Sequence, residues 1–259
     1  MKMKKKFLAI DIGNTHITAG VFLEDELLAE FRLVSSEDRS CDEYGLFFHR
    51  FLEYNNINCD DFFGCGISSV VDELTDVIFD AVKKYIGIDT EVIHSGLKFN
   101  FINKYDDPLM LGVDRICAVF AAVKKYGNPV IVADFGTATT IEVVNKDGAY
   151  LGGVIMPGIG TMSRSLFENT SKLPVIDIEF PENVIGSNTN DCIKSGVLYG
   201  SLFAFEQFVV KISEELGGNP SVIATGGLAG GVAKKSRFIN QVENMLVLEG
   251  IKGIYEDNF

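Results

Sequence analysis

Hydrophobic residues in this chain come in short runs that break at polar or glycine steps. Phe7–Ile10 is apolar and runs into Asp11, followed by Gly13 and the polar pair Asn14-Thr15. Apolar stretches Ile17–Leu23 and Leu27–Val34 follow, with Glu24-Asp25 between them. Runs of this length bounded by turn residues predict a three-stranded antiparallel meander. Cys41–Tyr54 places Leu46, Phe47, Phe51 and Leu52 at helical spacing. A strand over Phe63–Val71, an amphipathic helix over Asp72–Tyr85 and a short strand over Glu91–His94 complete a first α/β unit.

Phe99–Arg115 has no period, being broken by Asn103, Asp106-Asp107-Pro108 and Gly112, and reads as a loop. Asp114 stands at the N-cap of a helix over Arg115–Tyr126, with Ile116, Val119, Phe120 and Val123 on one face. The opening pattern then returns. Pro129–Asp134 is a buried strand ending in Asp, Phe135–Ala138 a turn, and Thr139–Val144 and Ala149–Met156 two further strands. A helix over Ile159–Glu168, a long helical stretch over Asp191–Leu216 and a strand over Ser221–Thr225 follow. Ala229–Asn244 reads as mostly helical and Met245–Leu248 as a last strand. Two copies, beginning near residues 7 and 129, predict an α/β fold of two similar subdomains with mixed sheets around a cleft. The boundary is placed between residues 116 and 117, giving subdomains 1–116 and 117–259.

Composition narrows the partners. The 259 residues carry a net charge of −13, which argues against nucleic acid and requires any anionic substrate to be met by a local site or a metal. Five cysteines at 41, 59, 65, 117 and 192 lack CxxC spacing and suggest reduced thiols in a cytoplasmic protein. The basic start MKMKKK reads as a solvated tail, and no run approaches a membrane span.

The chemistry lies in the two Asp-Gly turns. An Asp where a buried strand opens into a glycine turn is costly unless paired, and a cation carrying phosphates is one partner. A hairpin whose Asp caps its own turn is the other reading for Asp11, and a plain helix cap the other reading for Asp114. Ala224-Thr225-Gly226-Gly227 adds a third glycine loop after a late strand. His16 sits in the first turn and reads as a residue at the pocket rim, His49 as structural, and Cys117 as a small core residue behind Asp114.

With these motifs in place, Asp11–Thr15 (DIGNT), Asp134–Ala138 (DFGTA) and Thr225–Gly227 (TGG) resemble the phosphate and adenosine motifs of the acetate-kinase/hexokinase/Hsp70/actin superfamily. Gly112–Arg115 (GVDR) and Gly152–Gly158 (GGVIMPG) bring the resemblance to the type III pantothenate kinases, across most of the chain. Val113 stands where alanine is common in that family, a change that affects packing only. The resemblance implies two duplicated ribonuclease H-like (actin-like ATPase) subdomains and phosphorylation of pantothenate by ATP, the first step towards coenzyme A. It implies ATP contacts from Asp11, Ile12, Gly13, Asn14, Thr15, His16, Ile17, Thr18 and Thr137, with Asp11 holding Mg²⁺ at the phosphates. Asp134 is assigned the monovalent cation, K⁺ or NH₄⁺. The resemblance also implies that Asp114 is the general base and that Tyr105, Gly112, Val113, Asp114, Arg115 and Thr189 contact pantothenate. Thr189 is expected from the partner subunit of a cytoplasmic homodimer. The alternative is a nucleotide-binding regulatory protein of the same superfamily, acting in transcription; GxDR argues against it, because a switch needs no base.

Overall fold

In the computed structural model, which describes residues 6–259, two sheets share one strand order. The first is built from β1 (Lys6–Ile12), β2 (His16–Leu23), β3 (Glu26–Val34), β4 (Phe62–Ser69) and β5 (Thr90–Val92), in the order β3-β2-β1-β4-β5. Helices α1 (Cys41–Tyr54) and α2 (Asp72–Tyr85) interrupt it in sequence. After β6 (Ile102–Asn103) and α3 (Val113–Tyr126), the second sheet contains β7 (Val130–Phe135), β8 (Ala138–Val144), β9 (Ala149–Pro157), β10 (Ser221–Thr225) and β11 (Gln241–Val242). Its order is β11-β10-β7-β8-β9-β6, so β7 to β11 repeat β1 to β5 and β6 is an extra edge. In both sheets the first three strands are antiparallel and the last two join in parallel, as the repeat predicts. The remaining helices are α4 (Ile159–Glu168), α5 (Thr189–Lys194), α6 (Gly200–Leu216), α7 (Ala229–Ala233) and α8 (Leu246–Asn258). One π-helical turn, Ser195–Tyr199, joins α5 to α6.

Local chemistry sets the helix ends. Ser40 and Glu43 form a reciprocal capping box at the start of α1, satisfying two otherwise unpaired N–H groups. Helix α2 begins with Asp72-Glu73 and ends with Lys83-Lys84, complementing its dipole. Gly217, at φ 64°, closes α6 in the left-handed conformation that glycine adopts without strain.

The chain divides into two compact units. The first holds residues 6–99, Asp107–Ala121 and Leu246–Phe259; the second holds Asn100–Asp106 and Ala122–Met245. They are thus discontinuous in sequence, whereas the sequence reading drew one boundary after residue 116. Two segments cause this: Asn100–Asp106 belongs to the second unit although Asp107–Ala121 belongs to the first, and α8 returns to the first. The apolar run Met245–Leu248 predicts a strand, whereas a helix covers Leu246–Asn258; Gly250 and Gly253 weaken its helical pattern in the sequence. Ala229–Asn244 also differs from expectation, being helical only over Ala229–Ala233. Within the loop 99–115, a two-residue strand and a 3-10 turn at Pro108–Met110 add order that the broken pattern did not predict.

The first sheet is covered on both faces. Leu8, Ile10, Ile12, Cys65 and Ile67 pack with Tyr44, Phe48 and Leu52 of α1 and Leu74, Ile78 and Val82 of α2. On the opposite face small residues admit α8. A Cβ on Gly20 would meet Leu248 at 2.9 Å, one on Gly64 would meet the Tyr255 hydroxyl at 2.3 Å, and one on Gly66 would meet Ile251 at 2.6 Å. This second face carries Asp11. The basic start of the chain lies outside the described residues except for Lys6, which pairs with Asp61.

Candidate active site

Asp11 is the penultimate residue of β1, and Asp134 is the penultimate residue of β7. Their surroundings correspond. Asp11 is opposite Thr18 on β2 and Ser68 on β4. Asp134 is opposite Thr140 on β8 and Thr225 on β10. Laterally paired residues project from the same sheet face, so each half-buried carboxylate stands between two hydroxyl side chains. Each turn is closed by its glycine N–H, but the second turn is one residue shorter: Gly13 N–H donates to the His16 carbonyl at 3.0 Å, and Gly136 N–H to the Ala138 carbonyl at 3.0 Å.

In the first unit the turn Gly13–Thr15 is anchored from outside. The Ser35 hydroxyl donates to the Gly13 carbonyl at 2.6 Å, and Ser35 N–H donates to the Thr15 carbonyl at 3.0 Å. Asn14 is exposed at the tip, Ile12 and Ile17 are buried beneath it, and Thr15, His16 and Thr18 are half-buried. His16 Nδ1 accepts from the Arg32 guanidinium at 3.0 Å. Burial, and then the Arg32 charge, hold the His16 imidazole below its ordinary range, so it is neutral at pH 7.

Asp114 lies inside the first turn of α3 rather than at its N-cap, because the helix begins at Val113. Its carboxylate folds back and accepts from the Arg115 backbone N–H at 2.8 Å. It also lies over Gly112, where a Cβ would come within 2.6 Å of Asp114 Oδ1. Glycine in the GVDR motif therefore makes room for the carboxylate. One turn further on, Cys117 is fully buried. Burial pushes its thiol far up, and the charges of Asp11 and Asp114 push it the same way. The Ser68 hydroxyl, buried and without a hydrogen bond of ordinary geometry, opposes this weakly. One neutral thiol thus lies within electrostatic reach of both carboxylates. Helix α8 holds this part of α3: Gly250 packs against the Cys117 carbonyl, where a Cβ would be 1.9 Å away, and Gly253 against the Phe120 ring.

The second unit explains the other motifs. Gly226 sits directly over Asp134, where a Cβ would be 2.2 Å from Oδ1, and Gly136 borders the same oxygen at 3.3 Å. Gly226 has φ 91°, which further restricts the position to glycine. Gly158 packs on the DFGTA turn, since a Cβ there would meet the Gly136 carbonyl at 2.2 Å. The Thr137 carbonyl accepts from Thr161 at 2.6 Å and from Gly158 N–H at 3.0 Å. Gly152, at φ 104°, lies under Tyr105, whose ring is 6.0 Å from that of Tyr150. Tyr150 in turn donates at 2.5 Å to the buried Glu142. Thr189 is the exposed first residue of α5.

These arrangements suit phosphate chemistry. Among the described residues there is no cluster of three or more His, Cys, Asp or Glu side chains that could cage a metal. Single carboxylates beside glycine turns instead fit ions that arrive with phosphates, as Mg²⁺ does, keeping most of its shell from water and substrate.

The family model for type III pantothenate kinase matches residues 7–211. The chain belongs to the type III pantothenate kinase family. It is 40% identical to the type III pantothenate kinase of Finegoldia magna over 99% of each chain. It is 39% identical to that of Moorella thermoacetica, over 97% of this chain and 99% of the relative. Among solved structures it is similar to a Campylobacter jejuni protein described as a Baf family transcriptional activator, with TM-score 0.63 and 20% identity over 96% and 98% of the two chains. Component A of (R)-2-hydroxyglutaryl-CoA dehydratase from Acidaminococcus fermentans gives TM-score 0.55 and 12% identity over 97% of each chain. A ROK family glucokinase from Streptomyces griseus gives 0.50 and 13% over 96% and 98%. At these identities the structures establish the fold, that of actin-like ATPases and sugar kinases. The type III pantothenate kinase motifs anticipated from sequence coincide with the glycine contacts just described. Arg32, Ser35 and α8 were not anticipated; Ser35 carries no motif signal, and α8 lies beyond the matched residues.

Proposed function

We propose that this kinase transfers the γ-phosphoryl group of ATP to the hydroxyl of pantothenate, giving 4'-phosphopantothenate for coenzyme A synthesis. The observation that carries the reading is the Asp114 carboxylate, fixed by the Arg115 N–H and by the space at Gly112. As general base it accepts the hydroxyl proton while that oxygen attacks the γ-phosphorus and ADP leaves. Little covalent work is asked of the protein in such a transfer, so alignment and charge neutralisation supply most of the rate. Asp11 and the turn through Thr18 hold the triphosphate, with Gly13 N–H turned inward to His16. Mg²⁺ on Asp11 would neutralise charge developing on the phosphates. Thr137 contacts ATP from the second turn, and Asp134, enclosed by Gly136 and Gly226, takes K⁺ or NH₄⁺. Gly112, Val113, Arg115, Tyr105 and Thr189 seat pantothenate.

A homodimer is supported by exposed apolar residues on the second unit close in sequence to Thr189, among them Phe167, Val175 and Ile185, the last 89% exposed. A cytoplasmic location is supported by five free cysteines. None of the described helices is long and apolar enough to cross a membrane. The test is ADP release by the purified protein with pantothenate or a sugar as acceptor, with and without potassium. Asp114→Asn is expected to keep ATP binding and lose turnover, and Asp134→Ala to lose the response to potassium. Near-parental turnover in Asp114→Asn sinks the base assignment, and a preference for sugar sinks the acceptor.

A further inference from the structure

Arg32 has no place in the motifs, yet the sheet brings it to the phosphate turn. Strand pairing runs Asp11 to Thr18 and Thr18 to Arg32, which sets all three side chains on one face of the first sheet. That face also carries Ser68, beside Asp11 on the other side. His16, two residues before Thr18 on the same strand, accepts a hydrogen bond from the Arg32 guanidinium. Arg32 is otherwise exposed, so its remaining donors face solvent rather than the core.

The local charge balance asks for such a group. Asp11 and Asp114 both act on the Cys117 thiol, so two carboxylates lie near one another in a chain of net charge −13. A triphosphate adds several negative charges to the same face. Within the turn itself, Gly13–Ile17 contains no lysine or arginine. We infer that Arg32 is a nucleotide-binding residue, its guanidinium contacting the polyphosphate of ATP, and that His16 is the positioning residue that holds it at the turn. A guanidinium suits this task because its planar fork binds phosphate oxygens in pairs. Neutral His16 suits the other, because only an unprotonated Nδ1 can accept from Arg32.

The inference rests on the ATP role proposed for the first turn, and the test separates the two. The full-length chain and its Arg32→Ala, Arg32→Lys and His16→Ala variants are compared for kcat, KM for ATP and KM for pantothenate. The rise in Tm caused by millimolar magnesium-AMPPNP is measured in parallel. Arg32→Ala is expected to raise KM for ATP roughly tenfold or more, as loss of charged hydrogen bonds does, with KM for pantothenate unchanged. Arg32→Lys, which keeps a point charge but no fork, falls between. His16→Ala gives a smaller rise in KM for ATP and none in the Arg32→Ala background, because it acts through Arg32. An unchanged KM for ATP in Arg32→Ala, or equal rises in both KM values, overturns the inference. Should the parent turn over no pantothenate, the kinase reading fails and the AMPPNP effect decides: loss in Arg32→Ala upholds the arginine's role, and an equal effect in parent and variant overturns it. Absence of any AMPPNP effect in the parent removes both.

Discussion

Replacing Gly112 by alanine isolates the placement of the Asp114 carboxylate. The added Cβ would stand 2.6 Å from Asp114 Oδ1, against a floor of 3.0 Å for real Cβ contacts, so the oxygen must move by at least 0.4 Å. Gly112 is not among the residues with positive φ, so alanine fits the backbone and the perturbation stays with the carboxylate. The Arg115 N–H holds that oxygen at 2.8 Å, so displacement also weakens the hydrogen bond that orients the proposed base. Misplacement of a reacting group by about 1 Å costs on the order of a hundredfold in rate, and a shift of half that size gives an expected kcat loss of about tenfold. The loss should appear in kcat for ADP release at saturating ATP and pantothenate, with the melting temperature within a few degrees of the parent. A kcat within twofold of the parent, in a variant that folds, would refute the claim that glycine is there for the carboxylate.

Two further expectations follow from the packing around α3. Gly250→Ala drives a methyl into the Cys117 carbonyl, which as backbone cannot step aside, so the variant should lose about 1–3 kcal/mol in denaturant unfolding; parental stability would show that α8 does not press on α3. The cysteines should label unequally. Cys192 is exposed and should react first with a thiol reagent at pH 8, whereas burial pushes the thiols of Cys65 and Cys117 up, so both should react only after unfolding. Early modification of Cys117 would contradict its place beneath the carboxylates.

The architecture was legible because its signals are local and come twice. Strand, Asp, glycine turn and meander recur at β1 and β7, and the periods of α1, α2 and α4 appear in their apolar spacing. The positions of Asp11 and Asp134 followed directly from the strand-to-turn transition. Strand register was not legible. An uninterrupted hairpin around Glu24-Asp25 would set Thr18 opposite Phe31. The irregularity between Val21 and Phe22 shifts the pairing by one and sets Thr18 opposite Arg32. That single step moves an arginine onto the face of Asp11 and sends Phe31 to the aromatic cluster with Phe47, Phe48 and Phe51. Helix α8 was missed for a related reason. Its glycines weaken the helical pattern, and their purpose, closeness to Cys117 and Phe120, appears only when distant segments meet. The hydroxyl partners Ser68 and Thr225 were hidden likewise, since parallel pairing across a long connection leaves no mark in the intervening sequence.

The central claim concerns where the phosphoryl group goes. Purified protein incubated with ATP, Mg²⁺, potassium and pantothenate should yield a product whose mass is that of pantothenate plus one phosphoryl group, formed in step with ADP. The same incubation with a sugar in place of pantothenate should yield ADP only at a background rate. ADP matched by free phosphate, with pantothenate recovered unmodified, would contradict the account and make the chain a nucleotide hydrolase.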